Sequence, residues 1–260
     1  MQIQKNAPIG VFDSGLGGIS VLRELQALMP SESFLYFGDD QNAPYGVRPE
    51  SQVLELTRAG AQRLFDEGCK AVVLACNTAT AAAVVPLRAT WPERIIVGAE
   101  PAVKPAIRDG HRRIGVLATS TTLSSRRFAN LVASQGNGVK IIPIPAPGLV
   151  ELIEARIWSG AVLDEFLHKL LDAPLACGMD ALVLGCTHYP FVRGAISAAI
   201  GGLPIYDGNE GIARQTRRLL AESDLLQEAG QGGVTMLRRG QSPEFFGLAR
   251  ELIGAKEEKV

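Results

Sequence analysis

The chain has 260 residues, 47% of them apolar and 20% charged. This composition excludes a disordered chain and leaves room for one large domain or two of ordinary size. Lysine plus arginine number 26 against 27 aspartate plus glutamate, so no field of one sign favours nucleic acid or an anionic membrane surface. No stretch approaches the roughly 18 to 20 uninterrupted apolar residues of a membrane helix. The start, MQIQKNAPIGVFDSG, lacks a basic segment followed by an apolar one. A cytoplasmic protein is expected, with a small-molecule substrate, no nucleic acid and no membrane.

In chain order the predicted strands are IGVF at 9–12, SFLYF at 33–37, AVVLA at 71–75, IIVGA at 95–99, IGVLA at 114–118, KIIPI at 140–144, ALVLG at 181–185 and LPIY at 203–206. Amphipathic stretches lie between them, among them ISVLRELQALM from Ile19, SQVLELTRAGAQRLFDEG from Ser51 and LVELIEARIWSG from Leu149. Near-continuous apolar strands separated by helices predict an α/β fold with parallel sheets covered on both faces.

The strands form two similar series. IGVFDSG from Ile9 matches IGVLATS from Ile114, and AVVLACNTAT from Ala71 matches ALVLGCTHYP from Ala181. This reads as an internal duplication, two α/β units with a cysteine at the same place in each. In open parallel sheets ligands bind outside the carboxyl ends of strands. The polar clusters lie at such ends: Asp13 and Ser14, Asp39 to Gly46, Cys76 to Thr78, Thr119 to Thr121, and Cys186 to His188.

The four cysteines, at 69, 76, 177 and 186, include no C-x-x-C pair, so a zinc knuckle or thioredoxin motif is excluded and free thiols are expected. If the two units face each other, Cys76 and Cys186 approach one cleft from opposite sides. A thiolate is a competent base when donors or a helix N-terminus stabilise it. Two opposed thiols suit removal of a proton from a stereocentre and its return from behind, a reaction that needs no metal or nucleotide. Cys69 and Cys177 lack the hydrogen-bonding neighbours of the other pair and read as structural.

Each of these residues also has a plainer use. Asp13 could cap a helix, and GLGG at 15–18 resembles part of a phosphate loop but lacks the full glycine spacing and a lysine. His188 could be a core histidine, and Tyr45 could pack a turn. His111 and His168 read as surface or helix residues, and LRRGQ at 237–241 as a solvated turn rather than an anion site.

The motifs FDSGLGG, APYG, ACNTAT and GCTHYP, in this order and spacing, resemble those of the glutamate racemases in the cofactor-independent aspartate and glutamate racemase superfamily. The resemblance extends over essentially the whole chain, through IYDGNEGIARQTRRLL to SPEFFGLARELIG. It implies no cofactor and no metal, glutamate as substrate, D-glutamate supply for peptidoglycan, and a homodimer. The expected fold is two doubly wound, flavodoxin-like domains related by a pseudo-twofold axis. Residues 1–98 with 207–260 would form one and 99–206 the other, with the active site in the cleft between them.

By the same resemblance Cys76 is the base acting on D-glutamate and Cys186 the base acting on L-glutamate. Asp13 would assist Cys76, and His188 would assist Cys186. The helper carboxylate falls in PGLVELIE, which makes it Glu154, with Glu151 on the same helical face as the alternative. Substrate contacts would come from Ser14, the loop of Pro44, Tyr45 and Gly46, the Asn77 and Thr78 pair, Thr119, Thr121 and Thr187, beside Asp13, Cys76, Cys186 and His188 themselves.

The chain departs from the pattern in three places. PAPG stands before the helper segment where relatives more often carry Cys-Pro and an aromatic, Asp39 and Asp40 stand together where one Asp is usual, and TMLRRGQSPEFF replaces a Thr-Ser-Gly turn. The rival readings are a racemase for aspartate or a hydantoin, a silent two-lobed binding protein, and a thiol hydrolase using Cys186 and His188. The last leaves Cys76 idle.

Overall fold

In the computed structural model residues 4–135 and 138–254 are described. Residues 1–3 and 255–260, which the expected domain limits and the N-terminal reading include, lie outside them. The first series runs β1 (Ile9–Asp13), α1 (Ile19–Leu28), β2 (Ser33–Gly38), α2 (Glu50–Asp66), β3 (Ala71–Leu74), α3 (Asn77–Thr90) and β4 (Ile95–Gly98). After α4 (Val103–Arg108) come β5 (Arg113–Ala118), α5 (Ser120–Ser124), α6 (Arg126–Ala133), β6 (Lys140–Pro145), α7 (Leu149–Glu154), α8 (Ala161–Ala176), β7 (Ala181–Leu184), α9 (Arg193–Ala199) and β8 (Ile205–Asp207). The chain then returns to the first sheet through α10 (Asn209–Glu222), which packs on α1 and β4, followed by β9 (Gly233–Arg238) and α11 (Phe245–Gly254).

Both sheets are wholly parallel, with orders β4-β3-β1-β2-β9 and β6-β5-β7-β8. In each, the first strand of its series lies between the second and the third, with the fourth beyond the third. That repeated order is the flavodoxin-like one. Its cause is visible in the alternation of side chains: Ile9 and Val11 of β1 enter the core under α1, α10 and α11, while Phe12 enters the core under α2 and α3. In β5, Leu117 faces one layer and Ile114 and Val116 the other. Each such buried side chain stabilises the fold by roughly 1.5–3 kcal/mol.

The predicted strands at 71–75, 95–99 and 181–185 each stop one residue early, though the amides of Ala75, Ala99 and Gly185 still donate to the neighbouring strand at 2.8, 3.1 and 2.8 Å. The helix predicted from Leu149 to Gly160 ends at Glu154, because Arg156 adopts φ 61° and turns its guanidinium to Glu244 and Glu251 near and on α11. The run at 237–241, read as a solvated turn, is corrected: Leu237 and Arg238 belong to β9, paired with Phe37 and Gly38 of β2. Glycines before this strand and arginines at its end obscure the apolar pattern.

At the amino edge of the first sheet a fully buried Lys70 lies 2.5 Å from the equally buried Glu32. Lys70 Nζ also donates to the carbonyls of Lys5 and Leu225 at 2.6 and 2.9 Å, and Glu32 accepts the Gln227 amide at 2.8 Å. All three ammonium hydrogens thus have acceptors, as burial of a charge requires. No described helix is long and apolar enough to cross a membrane.

Candidate active site

The register that aligns Phe12 with Leu74 and Leu117 with Leu184 brings the residues after β1, β3, β5 and β7 to the carboxyl edges of the two sheets. Between these edges lies a cavity of about 230 Å³. The first sheet contributes Ser14, the loop of Pro44, Tyr45 and Gly46, and the run Cys76, Asn77 and Thr78. The second contributes Thr119, Glu151, Glu154 and the run Cys186, Thr187 and His188.

Cys76 is the N-cap of α3. Its backbone is extended, and its Sγ accepts the Ala79 amide at 3.4 Å and lies 3.5 Å from Ser14 Oγ. The helix end and these donors favour a thiolate. Burial and the nearby Asp13 carboxylate outweigh them, and the thiol is pushed up to about 12. Cys76 therefore holds its proton at neutral pH.

Cys186 has a different surround. Its Sγ is 3.9 Å from His188 Nδ1, and His188 Nε2 is 2.9 Å from Glu154 Oε1. Burial alone would lower His188, but hydrogen bonds to Cys186 and Glu154 and their charges raise it well above its ordinary value. Glu154 is held below the usual carboxylate range, since the His188 contact overcomes the effect of burial. The imidazole, held by Glu154 on its far side, thus faces the Cys186 sulfur with its other ring nitrogen. Of the two candidate carboxylates, Glu154 meets His188, while Glu151 stands exposed on the first turn of α7.

Asp13 is fully buried beneath the cavity rather than on its wall. It caps no helix: its Oδ1 accepts the Gly15 amide at 2.9 Å and its Oδ2 accepts the Thr187 hydroxyl at 3.2 Å. It thereby touches the turn that carries Cys186 as well as the neighbourhood of Cys76. Burial raises its carboxyl above the ordinary range despite the opposing His188 charge and these bonds. A second link between the sheets joins Thr78 Oγ1 to Thr119 Oγ1 at 3.0 Å and to Thr122 Oγ1 at 3.1 Å. Thr121 stands behind the cavity wall and donates to the Gly46 carbonyl at 2.7 Å.

Gly17 of the GLGG run has a steric role. A Cβ there would collide with Thr187 Oγ1 and His188 Nδ1, so glycine lets the first sheet approach the second cysteine's turn. Among the described residues the lining includes no lysine or arginine, so hydroxyls, amides and backbone groups are its donors. Cys69, whose thiol burial raises to about 12, and the exposed Cys177 lie away from it, as do His111 and His168. All four cysteines are free thiols.

The wall formed by Ala146, Pro147, Gly148 and Val150, and the Thr122 contact, went unread in the sequence. PAPG signals a turn after the second strand of its series, yet it carries no polar side chain to mark a site.

The family model for Asp/Glu/hydantoin racemase matches residues 19–216. The glutamate racemase of Pseudomonas putida is 45% identical over 261 residues, covering 99% of this chain and 97% of the relative. The glutamate racemase of Thermus thermophilus, solved in complex with β-chloro-D-alanine, superposes with a TM-score of 0.83 at 37% identity, over 98% of this chain and 96% of its own. That of Francisella tularensis, solved in complex with D-glutamate, gives 0.87 at 25% identity with the same coverage. With the family model matching residues 19–216 and a relative 45% identical over 99% of this sequence, the chain belongs to the Asp/Glu/hydantoin racemase family.

Proposed function

We propose that the protein is a glutamate racemase that interconverts L- and D-glutamate through two cysteine bases, without a cofactor. The observation that carries this reading is the pair of thiols lining one cavity, each with its own acid–base surround from a different sheet. With L-glutamate bound, the Cys186 thiolate takes the α-proton. The Cys76 thiol then gives its proton to the opposite face of the planar carbanion. Cys186 leaves as thiol and Cys76 as thiolate, and exchange with solvent restores the starting forms. The reverse reaction uses the same atoms in the opposite order. Hydroxyl and amide donors at Ser14, Asn77 and Thr78, with the Thr187 backbone amide, are offered to the substrate carboxylates, where fixed dipoles stabilise developing charge.

The reading extends by resemblance to D-glutamate supply for peptidoglycan, a cytoplasmic location and a homodimer. It also treats 1–98 with 207–260 and 99–206 as two bodies that hinge about the cleft.

The test is to incubate the protein in deuterated water with L-glutamate and, separately, L-aspartate, following optical rotation and the α-proton signal together. Loss of rotation with deuterium entering glutamate alone supports the reading. Turnover of aspartate alone assigns a different acid, and silence with both rejects racemisation of either.

A further inference from the structure

Two of the sequence departures, the paired Asp39 and Asp40 and the LRRGQ run, meet in space. Where β9 leaves the sheet beside β2, the Arg239 amide donates to the Gly38 carbonyl at 3.0 Å. Its Nη1 lies 3.3 Å from Oδ2 of Asp39, whose side chain is fully buried. The same oxygen accepts the Tyr45 hydroxyl at 2.6 Å, and the Asn42 amide reaches the two carboxylate oxygens at 2.9 and 3.2 Å. One residue on, the Gly240 amide donates to Asp40 Oδ1 at 2.7 Å, and Arg238 Nη1 lies 3.7 Å from Oδ2. A Cβ on Gly240 would run into the Asp40 carboxylate, so this approach requires glycine. One strand end thus holds both aspartates.

A buried carboxylate needs donors and a countercharge. Among the described residues Arg239 is the cation bonded to Asp39, whereas Tyr45 and Asn42 are neutral donors. Tyr45 is itself buried, and its neighbours Pro44, Gly46 and Val47 line the cavity. Arg239 does not reach that lining.

We propose, resting on the reading of the cavity as a glutamate site, that Arg239 is a positioning residue: through Asp39 and Tyr45 it fixes the 43–47 loop for substrate binding.

The test compares wild type, Arg239→Gln and Arg239→Lys by amide hydrogen exchange without substrate and by racemisation kinetics. The Arg48 amide, which donates to the Tyr45 carbonyl at 3.1 Å, reports on the loop. In Arg239→Gln it is expected to exchange about tenfold faster, while KM for glutamate rises about tenfold and kcat stays within about twofold. Arg239→Lys should recover most of both changes. A lower melting temperature with loop exchange and KM unchanged would overturn the proposal. Because exchange is read without substrate, a wild-type protein inert toward glutamate counts against the substrate reading, while faster Arg48 exchange in Arg239→Gln still supports the clamp.

Discussion

His188 bridges Glu154 and Cys186, with Nε2 2.9 Å from the carboxylate and Nδ1 3.9 Å from the thiol. Glu154→Gln removes the charge that holds the imidazole protonated. Because the equilibrium constant of a racemisation is one, kcat/KM must fall equally in both directions, by about 10²-fold. The asymmetry appears instead in isotope effects. Abstraction by Cys186 becomes the harder step, so α-deuterated L-glutamate should show the larger effect. Equal effects from both enantiomers would reduce Glu154 to a binding role.

The same pair sets a pH window for stability. His188 is raised in the fold, so its contribution is complete below pH of about 6.5 and fades as pH climbs through the raised value. Glu154 is lowered, so its contribution is present above about 4.5 and is lost as pH falls through the folded value. Urea unfolding of Glu154→Gln should therefore show a deficit of about 1–3 kcal/mol near pH 6 that shrinks as pH climbs through the raised His188 value. A deficit independent of pH would mean that packing alone was lost.

Cys76→Ala and Cys186→Ala should each lower racemisation by at least about 10³-fold. Each should nevertheless keep one-sided chemistry. With Cys186 alone, L-glutamate is expected to exchange its α-proton with solvent and retain configuration, while D-glutamate stays inert. The Cys186→Ala variant reverses that preference. Proton NMR in deuterated water distinguishes the two, and near-normal inversion by either variant would end the two-base mechanism.

A Cys76 thiol held near 12 reacts slowly at neutral pH. Its alkylation by iodoacetamide, followed by mass mapping of the peptide, should accelerate about tenfold per pH unit from 7 to 10. A plateau below pH 9 would show Cys76 already in the thiolate form.

Lys70→Ala leaves the buried Glu32 carboxylate without its cation. A loss of about 3–5 kcal/mol in urea unfolding is expected, with KM for glutamate unchanged because the pair lies at the amino edge of the sheet, away from the cavity. A loss below about 1 kcal/mol would show the pair to be hydrated.

Most of the fold was legible because parallel strands buried on both faces leave unbroken apolar runs, and the repeated cysteine segments exposed the duplication. The cleft was legible for the same reason, since strand ends carry its polar residues. What escaped depends on contacts distant in sequence. Arg156 ends α7 in a left-handed turn while facing Glu251 on another helix, and nothing local announces that. β9 packs against one neighbour only and carries charge at its end, so its five-residue stretch ValThrMetLeuArg from Val234 lacks the signature of an interior strand. Thr121 sits in a polar cluster at a strand end, yet its hydroxyl turns to the Gly46 carbonyl instead of the cavity.

Strand β9 pairs with β2, although the whole second sheet is translated between them. A nascent chain that has emerged only through β8 presents β2 as an unpaired edge, open to pairing with neighbouring chains. Asp39 meanwhile lacks its arginine. On the proposed role of Arg239, the 43–47 loop gains its clamp only after β9 has left the ribosome, however early either set of helices and strands has folded.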